Sequence, residues 1–372
     1  MIVGVPREIK NEEYRVSMTP NGVKEFVRAG HAVVVEKGAG IGAGFDDAAY
    51  AAAGAEMAAV DDVWARADMI YKVKEPLPSE YGKFKPGQIL YTYLHLAASY
   101  ARELTDAMIA ADIRGIAFET VELPSGAHPL LFPMSEVAGK LSIQAGAVHL
   151  QKNNGGRGVL LGGVTGVPKA KVVIIGGGTV GTNAAKIAVG MGARTVVMDS
   201  YAPRLTYLDD VFGGAIETVL STSAAIEEEI KDADIVVGGV LLPGGAQAPH
   251  LVKKAYLKEM QPGSVLVDVA IDQGGCFETS KPTTHTDPTY VVDGVIHYCV
   301  ANMPGAVART STMALAGATL PFGVAIATKG FEQAVKDDPA LALGVNVYRG
   351  KLTIPSVAAA HGLEYTPLDA AL

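Results

Sequence analysis

The chain has 372 residues, of which 49% are hydrophobic and only 19% are charged. That length is enough for two domains with large cores, and the composition excludes an intrinsically disordered chain. The formal net charge of −8 at pH 7 argues against a nucleic-acid partner, because such partners select a basic surface.

The two cysteines, Cys276 and Cys299, do not have the spacing of metal ligands, and we expect no bound metal. A disulfide framework is not expected either, so the sequence indicates a reducing, cytoplasmic compartment. The N-terminus lacks the basic, apolar and cleavage regions of a signal peptide.

One segment, Thr310–Thr328, is uncharged and close to membrane-spanning length. It contains Gly317, Pro321 and several threonines, and no second segment of this kind accompanies it. The pattern therefore favours a buried or interface helix over a membrane span.

Strand-like and helix-like segments alternate along the chain, which predicts an α/β fold with mostly parallel sheets. In the first block, Thr19 and Pro20 have the residue types of a helix N-cap and first turn, and Gly30 follows the helix. A longer helix is predicted from Ser135 to Gln151. The predicted strands of this block are IVGVP, HAVVVEKG, MIYKVKEP, QILYTYLHL and GIAFETVEL.

A second alternating block begins at Lys171, with predicted strands KVVIIGGG, RTVVMD, DIVVGGVLL and SVLVDVAID. Helical patterns lie on both sides of it. We therefore expect a central domain, 135–303, inserted into a discontinuous domain of 1–134 and 304–372. The predicted architecture is two Rossmann-like, doubly wound parallel-sheet domains.

The segment KVVIIGGGTVG has Gly176, Gly178 and Gly181 in G-x-G-x-x-G spacing, between an apolar strand and a helix. The first glycine allows a tight turn, the second lets the backbone approach a pyrophosphate, and the third permits close helix packing. Asp199 ends the next strand, where a carboxylate would accept hydrogen bonds from a ribose. The pattern predicts a dinucleotide site in the central domain; a Rossmann-like fold that binds no nucleotide is the alternative.

Asp199 also bears on the choice of cofactor. Its negative charge would repel a 2′-phosphate and so favours NAD over NADP, although Arg204 lies close enough in sequence to soften that repulsion. A second glycine cluster at 39–45 has the wrong spacing and is predicted to be a turn-rich loop.

Basic residues follow three strands of the N-terminal block: Arg15, Lys74 and His95. Because ligands gather at the carboxyl ends of parallel strands, the three could converge on one small anionic substrate. Arg15 suits a carboxylate, Lys74 a carboxylate or a carbonyl oxygen, and His95 acid–base work. Taken singly, each is more often a solvated or packed side chain.

The stretch VLVDVAIDQGGC is predicted to be a buried strand that runs to Ile271 and ends on a charge, Asp272, before two glycines. A solvated turn would explain the glycines but not the carboxylate. We expect the carboxyl end of this strand, with Asp272, to open beside the nicotinamide of the predicted cofactor.

The chain resembles the bacterial alanine dehydrogenases in an ordered set of segments, namely VGVPREIKNEEYRVSMTP, YKVKEP, YLHLA, PMSEVAG, IIGGGTVG, DVAIDQGGCFETSKPTTHTDPTY and YCVANMPGAVARTST. The resemblance implies reversible NAD-dependent oxidative deamination of L-alanine to pyruvate and ammonium, by a protein that is commonly a homohexamer. It implies substrate binding by Arg15 and Lys74 and acid–base catalysis by His95 and Asp272.

The resemblance also implies a set of cofactor contacts besides the glycines. Lys281 stands where some members of the family have arginine. The implied contacts are Ser135, Thr179, Val180, Asp199, Arg204, Ser221, Val240, Leu241, Val269, Ala270, Ile271, Asp272, Lys281, Val300, Ala301, Asn302 and Met303.

Three other functions stay open on the sequence. The NAD(H)-binding module of a proton-translocating transhydrogenase has a similar fold but no amino-acid substrate, and it would not need Arg15, Lys74 and His95 together. The other two are an NAD-sensing or structural protein and a dehydrogenase for another small amino acid or a saccharopine-like substrate.

Overall fold

The structure is a computed structural model that describes residues 1–240 and 248–372. The chain divides into two compact units. The first unit comprises Met1–Met134 and Gly305–Leu372, and the second unit comprises Ser135–Pro304. The second unit thus ends at Pro304, one residue beyond the boundary expected from the sequence.

Two sets of strands form the sheets. The strands of the first unit are β1 (Ile2–Val5), β2 (Ala32–Glu36), β3 (Glu56–Ala58), β4 (Met69–Tyr71), β5 (Ile89–Thr92), β6 (Arg114–Ala117), β14 (Val345–Tyr348) and β15 (Lys351–Leu352). The strands of the second unit are β7 (Lys171–Ile175), β8 (Arg194–Asp199), β9 (Glu217–Leu220), β10 (Ile235–Gly238), β11 (Val265–Asp268), β12 (Thr289–Val292) and β13 (Val295–Tyr298).

Helices lie between most of these strands. Those of the first unit are α1 (Pro20–Arg28), α2 (Asp47–Ala52), α3 (Val60–Arg66), α4 (Pro78–Tyr81), α5 (Arg102–Ala110), α10 (Ala308–Lys329), α11 (Phe331–Asp337), α12 (Pro339–Leu343), α13 (Pro355–His361) and α14 (Leu368–Ala371). Those of the second unit are α7 (Thr179–Gly190), α8 (Ala202–Phe212) and α9 (Ser223–Ile230), and α6 (Phe132–His149) contains the boundary between the units.

The sheet of the first unit has the order β15-β14-β6-β5-β4-β1-β2-β3. The strands from β6 to β3 are parallel to their neighbours, whereas β14 and β15 are added antiparallel at the edge. The strand order reverses between β1 and β4. That reversal makes the sheet doubly wound, and the switch point between β1 and β4 is where such folds bind ligands.

The second sheet has the order β12-β13-β11-β10-β7-β8-β9. All pairs are parallel except β12 with β13. Without β12 the order is that of a Rossmann sheet, with the switch point between β7 and β10. The predicted fold class, two Rossmann-like doubly wound domains, is therefore confirmed.

Residue types account for the local structure of the first helix. The Thr19 hydroxyl accepts a hydrogen bond from the N–H of Gly22 at 3.2 Å, and Pro20 occupies the first turn. The helix buries Val23 and Phe26 on one face. Gly30, with φ of +84°, follows its end, as the sequence predicts.

The start of α6 differs from the prediction. The helix begins at Phe132 and ends at His149, three residues before Ser135 and two before Gln151. Pro133 explains the earlier start, because a proline fits the first turn of a helix, where its missing N–H costs nothing.

The uncharged segment lies in α10, which packs in the core of the first unit. Leu315, Thr319 and Ile326 are fully buried, and the Thr319 carbonyl accepts a hydrogen bond from the Tyr91 hydroxyl at 2.9 Å. Met303–Lys329 is long and apolar enough to cross a membrane, a test that buried core helices of soluble proteins also pass. Burial of Leu315, Thr319 and Ile326 favours the core-helix interpretation.

The core of the second unit lies on both faces of its sheet. Every residue of β7 is buried, including most of Lys171. Val172 and Ile174 pack with the alanines of α7 on one face, and Val173 and Ile175 pack with Ile226 on the other. Covering both faces is typical of parallel sheets and explains why these strands are continuously apolar.

Candidate active site

The glycine turn after β7 has the geometry that a dinucleotide phosphate requires. Gly176 has φ of +101°, a region that L side chains rarely adopt. A Cβ on Gly181 would lie only 1.8 Å from the carbonyl oxygen of Gly176. A Cβ on Gly178 would meet no atom within 4 Å, so open space adjoins the backbone there. The positive φ of Gly176, the close contact at Gly181 and the open space at Gly178 fit the three predicted tasks, and the binding of a pyrophosphate at this turn stays a prediction.

Helix α7 begins at this turn. Gly178 is its N-cap, and Thr179 and Val180 are its first residues. The first N–H groups of a helix have no partner within it and carry the positive end of the helix dipole. A pyrophosphate bound at the turn would therefore meet both the dipole and the donors.

Asp199 lies at the end of β8, as predicted, and is tied to the glycine turn. Its carboxylate accepts hydrogen bonds from the N–H of Gly177 at 2.7 Å and from the N–H of Tyr201 at 2.8 Å. Arg204 is held from the other side, because Nε donates to the Gly177 carbonyl and Nη2 to the Thr182 hydroxyl, both at 2.6 Å. The Arg204 guanidinium, which could soften the repulsion of a 2′-phosphate, is thus hydrogen-bonded to the glycine turn and to α7.

The remaining residues of the predicted cofactor set follow strands of the same sheet or lie on α6. Ser135 lies on α6, Ser221 follows β9, Val240 follows β10, and Val300, Ala301, Asn302 and Met303 follow β13. Lys281 is exposed and donates its backbone N–H to the Tyr290 hydroxyl at 2.7 Å. Leu241 lies outside the described residues.

The strand that carries Asp272 ends earlier than predicted. Strand β11 stops at Asp268, and Asp272 is an exposed residue of a short 3-10 turn, Ile271–Gln273, which Val269 and Ala270 precede. The prediction that the strand runs to Ile271 is therefore wrong. The reason is pairing, because β11 finds partners on β10 and β13 only as far as Asp268 and Val267.

The carboxylate that closes the strand is Asp268, which the sequence reasoning missed. It is fully buried and accepts hydrogen bonds from the N–H groups of Ala270 and Cys276, at 3.1 and 2.8 Å, and from the Ser280 hydroxyl. Burial raises the pKa of this carboxyl despite those bonds. Asp268 thereby shapes the loop that holds Asp272. An acidic residue at the end of an apolar strand was the sequence signal that could have identified Asp268.

In the first unit, Arg15 is buried and paired with a carboxylate. Nε and Nη2 donate to the two oxygens of Glu13 at 2.7 and 2.6 Å, and Nη1 donates to the Met134 sulfur at 3.1 Å. Only 2% of the Arg15 side chain is exposed. The guanidinium is therefore fixed in orientation, since a bidentate fork allows one geometry.

Lys74 lies in the segment after β4, which ends at Tyr71 rather than at Lys74 as predicted. Glu8, in the loop after β1, accepts hydrogen bonds from the N–H of Val73 at 2.6 Å and from that of Lys74 at 3.4 Å. Its second oxygen lies 3.2 Å from Nζ of the buried Lys72. The backbone at Lys74 is thus fixed to the neighbouring loop across the switch point.

His95 lies three residues beyond the end of β5 at Thr92, and not at the strand end as predicted. It has φ of +49°, an uncommon backbone conformation for a residue with a side chain. The Glu119 carboxylate holds that conformation, because it accepts the N–H of His95 at 2.6 Å and lies 4.0 Å from Nδ1. The imidazole stacks on Tyr93, with the planes 7° apart.

Arg15, Lys74 and His95 thus follow β1, β4 and β5, which are neighbours in the sheet order. The carboxyl ends of these strands meet at one edge around the switch point. The arrangement can bind a small carboxylate through two cations and move a proton through an imidazole. Among the described residues, no group of three His, Cys, Asp or Glu side chains could hold a metal ion.

Together, a doubly wound dinucleotide-binding unit and a second doubly wound unit with clustered cations define a two-unit, nucleotide-dependent α/β enzyme. Residues 4–138 match the family described as alanine dehydrogenase/PNT, N-terminal domain, and residues 142–355 match its C-terminal domain. The chain belongs to the alanine dehydrogenase/PNT family.

Similar proteins cover the full chain. It is 58% identical to an alanine dehydrogenase of Methanococcus maripaludis over the whole of both sequences. It is 56% identical to an alanine dehydrogenase of Halomonas elongata over 98% of each chain. Among solved structures, an L-alanine dehydrogenase matches with a TM-score of 0.94 and 52% identity, covering 97% of this chain and 99% of the other.

A transhydrogenase from Sinorhizobium meliloti matches more distantly. Its TM-score is 0.82 at 25% identity, with 95% of this chain and 100% of the other covered. The two branches of the family therefore share the fold, and the identity is about twofold higher toward the dehydrogenase branch.

Proposed function

We propose that this chain catalyses the reversible oxidative deamination of L-alanine to pyruvate and ammonium with NAD. Two sets of residues carry the proposal. One unit has a glycine turn with Asp199, and the other has Arg15, Lys74 and His95 after strands that adjoin its switch point. The names of relatives that are 54–58% identical over the whole chain support it.

The substrate carboxylate is assigned to Arg15 and Lys74. Glu13 fixes the Arg15 guanidinium, and Glu8 fixes the backbone at Lys74, so both cations are oriented before the substrate arrives. Such preorganisation lowers the entropic cost of binding and holds Cα in place for reaction. The two cations also favour an α-amino acid over an amine that lacks a carboxylate.

NAD supplies the hydride acceptor when bound, and the residues that would hold it are the glycine turn, Thr179, Val180 and Asp199. Loss of one proton from the ammonium group and of hydride from Cα converts the alanine zwitterion into an iminium cation. Water then adds to the iminium carbon, and the carbinolamine releases ammonia to leave pyruvate. His95 takes the proton from water and returns it to the leaving nitrogen.

Asp272 is assigned the second acid–base role, in which it stabilises the positive charge of the iminium and helps to orient the attacking water. Its exposed position in a short turn beside Gly274, which has φ of +91°, supports a side chain that can adjust to ligands. The buried Asp268 carboxylate fixes the path of that loop, because it accepts hydrogen bonds from the N–H groups of Ala270 and Cys276.

NAD is proposed over NADP on the contacts of Asp199. A carboxylate at the end of β8 accepts ribose hydroxyls well and repels a 2′-phosphate. Arg204, the cation that could offset this repulsion, already donates to Gly177 and Thr182. The remaining predicted contacts, including Lys281 and Ser221, stay part of the proposal.

We also propose that the chain acts in the cytoplasm as a homo-oligomer, in line with the hexamers common in the family it resembles. The buried thiols of Cys276 and Cys299 support a reducing compartment. The proposed partners are small molecules, namely alanine, pyruvate and ammonium, with no nucleic acid and no membrane.

The alternative is a transhydrogenase-like module that binds NAD(H) and passes hydride to a partner protein. The solved transhydrogenase supports it at the level of fold. Arg15, Lys74 and His95, each with a carboxylate as a neighbour, weigh against it, because a module without an amino-acid substrate has no need of them.

The role of His95 can be tested with the His95→Ala variant. NADH binding, measured by fluorescence, should survive, because the glycine turn is untouched. Turnover of L-alanine should fall by roughly 10²–10⁴, the usual cost of losing acid–base catalysis. Near-normal turnover in this variant would contradict the assignment.

A further inference from the structure

A buried lysine with two carboxylate partners directly follows β4 in the first unit. Lys72 has only 1% of its side chain exposed, and its Nζ atom lies 3.0 Å from Oε1 of Glu80 and 3.2 Å from Oε2 of Glu8. Both carboxylates are buried as well. Glu8 lies in the loop after β1 and Glu80 lies in α4, so this buried triad of Lys72, Glu8 and Glu80 joins three separate parts of the chain.

The other oxygens of the two carboxylates hold the backbone of the segment that carries Lys74. Oε1 of Glu8 accepts hydrogen bonds from the N–H of Val73 at 2.6 Å and from that of Lys74 at 3.4 Å. Oε2 of Glu80 accepts a hydrogen bond from the N–H of Leu77 at 2.9 Å. Both ends of this short segment are therefore bonded to carboxylates whose second oxygen faces the ammonium of the triad.

Stability gives little reason for a chain to keep such a triad. Charges that leave water lose their hydration, and apolar residues of similar volume in place of a buried ion pair are often neutral or stabilising. The triad does fix geometry, because each oxygen has its own partner and neither carboxylate can rotate without losing a contact. Burial acts to lower the pKa of Lys72, but the charges of Glu8 and Glu80 raise it above its ordinary value, so the ammonium form persists.

We propose that Lys72 is a positioning residue that, through the two carboxylates of the triad, sets the position of the Lys74 ammonium in the substrate site. The proposal rests on the proposed function, in which Lys74 binds the substrate carboxylate. Lys72 acts through the backbone of Lys74 and not on the substrate. The Thr92 hydroxyl donates to the Lys74 carbonyl at 3.0 Å, so the peptide groups on both sides of the Lys74 Cα atom are held.

The second unit offers a matched control for the loss of a buried ammonium. Lys171, the first residue of β7, has 9% of its side chain exposed, and its Nζ atom lies 2.9 Å from Glu229 and 2.5 Å from Asp232. It lies at the amino end of its strand, whereas the glycine turn follows the carboxyl end. Lys171→Met therefore takes an ammonium from two carboxylates without altering the Lys74 segment or the glycine turn.

The experiment measures KM for pyruvate, kcat, NADH affinity and melting temperature for the full-length wild-type protein, Lys72→Met, Glu80→Gln and Lys171→Met. In Lys72→Met, KM for pyruvate should rise about tenfold or more while kcat and NADH affinity change little, because the displaced Lys74 ammonium binds the carboxylate less well. In Glu80→Gln it should rise roughly threefold, since the amide has one acceptor atom in place of two and one hydrogen bond is lost. Lys171→Met should lower the melting temperature and leave KM for pyruvate at the wild-type value.

The outcomes separate positioning from a merely structural role. If Lys72→Met and Glu80→Gln lower the melting temperature but leave KM for pyruvate unchanged, the triad only stabilises the unit and the proposal is wrong. An equal rise of that KM in Lys171→Met would also contradict it. If Lys72→Met binds no NADH and is therefore misfolded, Glu80→Gln decides, because it removes no cation from the core. Absence of pyruvate-dependent NADH oxidation by the wild-type protein would instead refute the proposed function, on which the proposal rests.

Discussion

Arg15, Lys74 and His95, the basic residues of the proposed substrate site, each have a carboxylate as a neighbour. Arg15 has Glu13, the backbone of Lys74 has Glu8, and His95 has Glu119. These acids hold the side chains in place, but they also reduce the net positive charge offered to a ligand. The balance suits a zwitterion such as alanine better than a dicarboxylate.

Replacement of Arg15 by Lys tests the value of the fixed guanidinium. Lysine keeps the charge but cannot form the fork with Glu13, so the cation loses its orientation. We expect KM for pyruvate to rise about ten- to a hundredfold, the range of a lost charged hydrogen bond. NADH affinity measured in the same titration should stay unchanged. An unaltered KM would remove Arg15 from the substrate site.

Replacement of Asp199 by Asn tests the cofactor choice. The amide has nearly the same shape and keeps one acceptor for Gly177 or Tyr201, but it no longer repels a 2′-phosphate. The ratio of kcat/KM for NAD over NADP should fall by about tenfold or more. Loss of the negative charge removes the repulsion of the 2′-phosphate of NADP, and loss of one acceptor weakens the binding of the NAD ribose. A ratio equal to that of the wild-type protein would show that other residues select the cofactor.

At the scale of elements, variants of the glycine turn should distinguish effects on stability from effects on nucleotide binding. Gly181→Ala should lower both the melting temperature and NADH affinity, because its Cβ would lie 1.8 Å from a backbone oxygen. Gly178→Ala should weaken NADH binding with little effect on melting, since open space surrounds its Cβ position. Gly190→Ala, further along α7 and equally unhindered, is the control that should change neither property. Equal melting temperatures for all three variants would contradict the packing role of Gly181.

The sequence predicted the glycine turn well because its signal is local. Strand, turn, helix and acid follow one another within about 30 residues, as in other Rossmann units. The doubly wound α/β architecture was likewise predicted from the alternation of strands and helices, whereas the strand order of each sheet came from the structure.

Strand ends and acidic partners were less accessible to sequence reasoning. Asp272, Lys74 and His95 lie three or four residues beyond their strands, because a strand ends where its neighbours stop pairing. Glu8 and Glu119 acquire their roles only when separate loops meet at the switch point. No local pattern marks such contacts.

At the scale of the whole molecule, two histidines whose pKa is lowered by burial should make stability depend on pH. Burial lowers the pKa of His297 below its ordinary value of 6.5, so the folded protein resists protonating it. The stabilisation is fully present above about pH 6.5 and is lost as pH falls toward the lower folded-state pKa. His149 acts in the same direction.

The melting temperature should therefore fall between pH 7.5 and 5.5, and the fall should be shallower in the His297→Gln variant. Glutamine can still bond with Thr279 but does not titrate. Asp268 and Glu8 have raised pKa values and work in the opposite sense, since their ionisation costs stability as pH rises. Comparison of the two proteins isolates His297, and identical slopes would contradict its role.

The most direct measurement is the initial rate of NADH formation by the purified wild-type protein with a panel of L-amino acids. Pyruvate plus ammonium is tested in the reverse direction. We predict a kcat/KM for alanine well above that for every other amino acid, and NADH oxidation that requires both pyruvate and ammonium. NADH binding without turnover of any amino acid would contradict the proposed function and favour the transhydrogenase-like module.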